Sequence, residues 1–194
     1  MASQLSSATI TIMKIELKRC ASVLLVLSSL LPSFNVKAQS NQQLDLFFKL
    51  SDYYFSKYVT NGMVDYRYAS SYSKEVNALY KLIGEIDLSA ASENEKMAFG
   101  INAYNLLVIY QVANSYPIAN PLDQDGFFDK NQHLVAGSEV TLNQLESDHM
   151  LRKFEDARFH FVLACAAKSC PQLADFAYKP ENVETLLEQR TEWH

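Results

Sequence analysis

A histidine, two cysteines and a pair of asparagines carry the chemistry that this sequence could perform. The stretch FHFVLACAAKSCPQL, residues 159–173, places His160 five residues before Cys165 and ten before Cys170. Ser169-Cys170-Pro171 sets a proline where the first position of a helix accepts it, because that amide has no intrahelical partner. A helix opening there would aim unpaired amides and its positive dipole end at the Cys170 sulfur, lowering the thiol pKa and favouring a nucleophilic thiolate. His160 would then take the thiol proton or deliver one to a leaving group. The alternative is a disulfide between Cys165 and Cys170, which an oxidising compartment would favour. The loop so closed is short and constrains the unfolded chain less than a long one.

Asn102 and Asn105 stand three apart on a very apolar helix, with Tyr104 between them. Burying an amide costs about 1–3 kcal/mol unless it is hydrogen-bonded, so each must find a partner. One of them could orient a histidine or polarise a developing oxyanion; the preferred role is to pin the backbone of a neighbouring loop. Asp156 and Arg158 flank the start of an expected strand and read as a structural pair. His133 and His149 lie in polar surroundings that suit a solvated surface. Cys165, Cys170 and His160 lack the close paired spacing of structural zinc sites, so no metal is expected, and no cofactor.

The elements that must position these residues are set by periodicity. Leu44, Phe47, Phe48, Tyr54, Phe55 and Tyr58 recur at three- and four-residue steps, an amphipathic helix from Asn41 to Val59, and Gly62 marks a stop just beyond it. Val64-Asp65-Tyr66 suggests a short extended piece. A second helix is expected from Ser73 to Ile86. Ser92 and Glu95 form a capping box that opens a third, running to about Tyr116 and apolar almost all round, hence buried. Pro117 and Pro121 bound a loop leading to Gly126-Phe127-Phe128-Asp129. His133-Leu134-Val135 and Val140-Thr141-Leu142, with a turn through Gly137, predict a β-hairpin. A short helix over Asn143–Leu151, a strand over Arg158–Cys165 and a last helix from Asn182 complete an α+β, helix-rich single domain packed around a small, mainly antiparallel sheet. By strand alternation, His160 and Cys165 would face opposite ways.

The first 38 residues read as an address. Lys14, Lys18 and Arg19 precede the apolar run Ala21–Leu31, and Val36-Lys37-Ala38 supplies a small-residue cleavage pattern. The run is shorter than the roughly 20 residues of a membrane span. The protein is therefore expected to be exported, to a periplasm or beyond, with Cys20 lost and residues 39–194 kept as one domain. The full chain holds 17 basic and 22 acidic side chains, of which four and one lie in residues 1–38; 13 against 21 remain, a net charge of −8. No basic run survives, so nucleic acid and anionic lipid are excluded as expected partners.

Several motifs stand in one order: Gly62-Met63-Val64-Asp65-Tyr66, Asn94-Glu95-Lys96-Met97-Ala98-Phe99 running into Ile101-Asn102-Ala103-Tyr104-Asn105, Gly126-Phe127-Phe128-Asp129, and Asp156-Ala157-Arg158-Phe159-His160-Phe161 ending in Cys165-Ala166-Ala167-Lys168-Ser169-Cys170-Pro171. Together they resemble the family known as domain of unknown function 547, found in bacterial exported proteins and in plants, over roughly Leu44–Leu187. The resemblance marks Asn102, Tyr104, Asn105, Arg158, His160, Cys165, Cys170 and Pro171 as the strongest motif positions. Their Cys, His and Asn are similar to the parts list of papain-like thiol hydrolases and transglutaminases, although there cysteine usually precedes histidine. Two departures accompany the likeness. Gly100 stands where the family usually shows tryptophan, and the chain ends at His194 where members typically continue, which implies a truncated C-terminus.

The expected function is thiol-dependent hydrolysis or acyl transfer. In it Cys170 attacks a carbonyl, His160 manages the proton, Asn102 or Asn105 orients or polarises, and Tyr104, Arg158 and Cys165 line the binding site. Peptide, isopeptide, ester and amide substrates, small or protein-borne, all fit. The alternative is a non-catalytic binding or scaffold domain locked by a Cys165–Cys170 disulfide.

Overall fold

The structure is a computed structural model that describes residues 39–167 and 170–192. The expected signal peptide, with Cys20 and the cleavage pattern, lies outside the described residues, as do Lys168, Ser169, Trp193 and His194.

Helix α1 covers residues 39–58 and buries the predicted apolar face, with Leu44, Phe47, Phe48, Tyr54, Phe55 and Tyr58 all in the core. It passes directly into β1 (Val59–Thr60), which pairs antiparallel with β2 (Met63–Val64). The connecting Asn61 and Gly62 both take positive φ, 52° and 74°, the paired left-handed geometry that fits a two-residue hairpin to strand twist. Asp65 then caps α2 (Tyr66–Ser71), accepting from the Tyr68 amide at 3.0 Å. Of the expected extended piece, Val64 ends β2, while Asp65 and Tyr66 start a helix, as an aspartate just before a helical turn allows.

Helix α3 (Ser73–Glu85) buries Val76, Leu79 and Ile83, and Ile86 just beyond it is buried too. The capping box of Ser92 and Glu95 opens α4 (Glu93–Ser115) as the spacing predicts. Sixteen of the residues of α4 are buried, on every side of the helix, so the other elements pack around it. A 3-10 turn (Pro121–Asp123) precedes the hairpin β3 (His133–Val135) and β4 (Ser138–Val140). Thr141, expected in the second strand, instead caps α5 (Leu142–Glu146) through a second capping box with Gln144. A π-helical turn (Ser147–Leu151) and α6 (Arg152–Phe154) come next, then a 3-10 helix (Ala157–Phe161), and α7 (Val183–Glu192) comes last. The domain is α+β and helix-rich, with its strands in two separate antiparallel pairs.

The strand expected over Arg158–Cys165 does not form. Phe159, Val162 and Leu163 are the buried positions, spaced three and four apart as in a helical turn rather than alternating. Asp156 caps the turn by accepting from the Arg158 amide at 2.9 Å. Residues 162–167 are irregular, so strand alternation says nothing about where His160 and Cys165 face.

The β3–β4 hairpin closes the end of α3. The amides of Ala136 and Gly137 donate to the carbonyls of Ile83 and Gly84 at 2.9 and 3.0 Å, partners that the last turn of a helix otherwise lacks. A Cβ on Gly84 would lie 3.0 Å from the Leu134 side chain, so glycine permits this approach.

His133, expected at a solvated surface, is buried. Alternation along β3 sends positions 133 and 135 inward and 134 outward. Its ring stands edgewise to Tyr80 and Tyr110, which stack with centroids 4.0 Å apart. Neither ring nitrogen has a hydrogen-bond partner among the described residues. Burial pushes the His133 pKa down, so the fold favours the neutral ring. That contribution is complete above the ordinary histidine value of about 6.5 and is lost as pH falls below it, where the unfolded chain binds the proton first. Melting temperature measured from pH 8 to pH 5 should therefore fall below about pH 6.5, and His133→Phe should flatten that decline.

Candidate functional site

Helix α4 carries three buried amides, and each is tied to a different segment of irregular backbone. Asn102 donates to the Tyr178 carbonyl at 2.7 Å and accepts from the Tyr178 amide at 3.0 Å. Asn105 donates to the Val162 carbonyl at 3.0 Å and accepts from the Ala164 amide at 2.9 Å. Gln111 donates to the Phe127 carbonyl at 3.0 Å and accepts from Asn131 at 2.8 Å. Both asparagines thus pin neighbouring backbone, the preferred of the two roles that the sequence suggests. Gln111 stands outside the motifs, although as the remaining amide on the buried face it obeys the same rule.

Asn105 explains the missing strand. It receives the carbonyl of residue 162 and the amide of residue 164, the pair that a neighbouring strand would otherwise satisfy. A side chain replaces a ladder, and the chain beyond it is released to form the cysteine loop.

Cys165 and Cys170 are joined as a disulfide, their Cα atoms 5.8 Å apart. No helix begins at Pro171; residues 171–174 are irregular. The amide of Cys170 donates to the Ala167 carbonyl, and that of Leu173 donates to the Gly62 carbonyl at 3.2 Å. The Leu173 amide is the one that a helix starting at Pro171 would have turned toward Cys170. It is spent instead on the β1–β2 turn and is not turned toward the Cys170 sulfur. The close approach also explains Gly62, since a Cβ there would lie 2.7 Å from the Gln172 side chain.

Between the β1–β2 turn, α4 and this loop lies a cavity of about 460 Å³. Its walls include Met63, Val64 and Tyr66 on one side, Asn105, Val108 and Ile109 from α4, and Ala164, Ala166, Cys170 and Leu173 from the loop. Ala166 holds a left-handed φ of 56°, a conformation that costs a non-glycine residue roughly 1–2 kcal/mol. Tyr66 closes the Gly62–Tyr66 motif without any sign of a site role in the sequence, and Val108 and Ile109 look there like ordinary core.

His160 is not among the residues that line this cavity. It is exposed, and its Nδ1 lies 3.4 Å from Glu146. The Tyr104 hydroxyl, whose pKa burial raises with Glu146 adding to the effect, approaches the other oxygen of Glu146 at 3.4 Å. Glu146 therefore bridges two residues that the motifs singled out, and no spacing in the sequence announces it. Arg158 makes a bidentate pair with Asp156, closest at 2.6 Å, and reaches Glu184 at 2.8 Å. Hydrogen bonding from Arg158 holds the Asp156 carboxyl below its usual range, so the pair joins the 3-10 turn to α7. His149 is exposed. Gly100 leaves space that the Met150 side chain fills, with atoms 3.4 Å from where a Cβ would stand. Among the described residues no three His, Cys, Asp or Glu side chains are grouped to hold a metal ion.

A family model described as "Protein of unknown function, DUF547" matches residues 88–194. The chain belongs to this family. The matched residues include all three amides of α4, both cysteines and the Arg158 pair; the β1–β2 hairpin and Tyr66 precede them. No curated protein and no solved structure matches the chain.

The asparagines should be stability residues first. Asn105→Ala leaves the Val162 carbonyl and the Ala164 amide without their partner and should cost about 2–4 kcal/mol in urea unfolding. Exposed His160→Ala should cost under about 0.5 kcal/mol.

Proposed function

We propose that this family member is an exported, non-catalytic binding domain in which the Cys165–Cys170 disulfide fixes one wall of a ligand cavity. The observation that carries the reading is the cavity of about 460 Å³ between that bridged loop, the β1–β2 turn and α4, a size within the usual range for small-molecule sites. Its lining is mainly apolar, and the Asn105 amide facing it already serves the backbone. The disulfide agrees with an oxidising compartment. No helix among the described residues is long and apolar enough to cross a membrane. The acidic balance of the chain disfavours nucleic acid as a partner.

The second reading is thiol-dependent hydrolysis or acyl transfer with Cys170 as nucleophile, His160 moving the proton and Asn102 or Asn105 polarising the carbonyl. Its support is that Cys170 lines the cavity. It requires a reduced bridge and a proton acceptor brought to the sulfur. Against it stand the missing helix start and the contact of His160 with Glu146.

Two measurements separate the readings. The oxidised protein should bind the neutral apolar dye N-phenyl-1-naphthylamine saturably, and Ile109→Trp, which fills the cavity, should abolish the fluorescence gain; no saturable binding would sink the binding reading. After mild reduction, iodoacetamide at pH 7 should alkylate Cys170 no faster than it does free cysteine, whereas a many-fold faster reaction would restore the nucleophile. Reduction itself should lower stability by about 2 kcal/mol, from loop entropy alone.

A further inference from the structure

Helix α1 is apolar on two sides. Leu44, Phe47, Phe48, Tyr54, Phe55 and Tyr58 turn into the core. On the other side Leu46, Leu50 and Tyr53 are 45%, 37% and 56% exposed, where a helix serving only its own core would carry polar side chains. Lys57 continues the row, so that its members stand four, three and four residues apart. At 3.6 residues per turn these four side chains fall within one strip about 60° wide. Steps alternating between three and four residues are the spacing of a coiled-coil seam.

The strip widens at its carboxyl end. The Lys57 ammonium lies 5.6 Å from the centre of the Tyr72 ring and bonds to Glu75 at 2.8 Å. Tyr68 and Tyr72 are exposed, with ring centres 4.5 Å apart. Apolar and aromatic surface thus runs from α1 onto α2, and a continuous exposed patch of this kind marks a place of association.

Spacing and charge together select the occupant. A row with a 3.5-residue average seats its side chains between those of another helix with the same row, and a second copy of this chain supplies one. Asp45, Lys49 and Asp52 lie along one flank of the strip. A parallel, in-register pair would set each of them against its own kind. An antiparallel pair crossing near Leu50 instead brings Lys49 of each copy to Asp52 of the other, and the two-fold axis makes that contact twice. Asp52 is already ordered by the Ala177 amide at 2.9 Å and by Lys179 at 3.0 Å.

We propose that this strip is the interface of an antiparallel homodimer, in which Leu46, Leu50 and Tyr53 of one copy pack against the same row of a second. Tyr68 and Tyr72 then reach the amino end of the facing α1. Such an interface goes beyond the cavity reading and stands independently of it.

Sedimentation velocity across the micromolar range should show a monomer–dimer equilibrium. Leu50→Glu, which sets two carboxylates at the crossing point, should raise the dissociation constant at least about a hundred-fold. Because Leu50 is exposed, this variant should keep the far-UV circular dichroism of the wild type, which separates lost association from lost folding. Under mild oxidation Leu50→Cys should cross-link as a dimer and Leu46→Cys should not, since only the central position meets its own copy. A wild type that stays monomeric, a dimer that survives Leu50→Glu, or equal cross-linking of both cysteine variants overturns the proposal. So does a monomer that floats with phosphatidylcholine vesicles, which would give the strip to a lipid surface.

Discussion

An amide cannot be left unpaired inside hydrocarbon, and this requirement organises the domain. Helix α4 is buried on all sides, yet it carries Asn102, Asn105 and Gln111. Each must exchange hydrogen bonds with something, and the something is backbone that no sheet or helix satisfies. The arrangement works in both directions, since the irregular segments at Phe127, Val162–Ala164 and Tyr178 would themselves be costly to bury without those side chains. A central helix thereby dictates the course of three loops that have no secondary structure to guide them. The cavity exists because one of these loops, held at Ala164, turns back through the cysteine bridge toward the β1–β2 hairpin.

Much of this was legible in the chain, and the illegible part has physical causes. Local signals spoke clearly: the α1 and α3 periodicities, the Ser92–Glu95 capping box and the His133–Val135 strand all reflect contacts within a few residues. The segment 158–165 misled because its β-favouring composition described side chains suited to burial, while the partner strand was replaced by Asn105, more than fifty residues earlier. Ser169-Cys170-Pro171 misled for a related reason. Proline at a first helical position permits a helix without requiring one, and the Leu173 amide found a stronger claim at Gly62. His133 reads as polar among polar neighbours until its strand phase is known. Glu146 had no signal at all, because its partners come from two other elements.

The residue types that suggest catalysis are here largely engaged in architecture. Asn102 and Asn105 hold backbone, Arg158 ties Asp156 to α7 through Glu184, and the cysteines bond to each other. In this molecule, the residues that the family model matches include those that fasten loops to a buried helix. The face of the cavity contributed by Val64 and Tyr66 is separate from those fastenings, so its chemistry can change without loosening them.

Every segment that the buried amides of α4 fasten lies after the helix in the chain, the last at Tyr178, 76 residues beyond Asn102. A ribosome working from the amino end therefore delivers this greasy helix long before its clasps. Until residue 178 has emerged, the nascent polypeptide holds an exposed apolar rod studded with unanswered amides, the kind of surface that other chains adhere to. The vulnerable period of this molecule is consequently its synthesis, and a chaperone that shields residues 93–115 would protect it most.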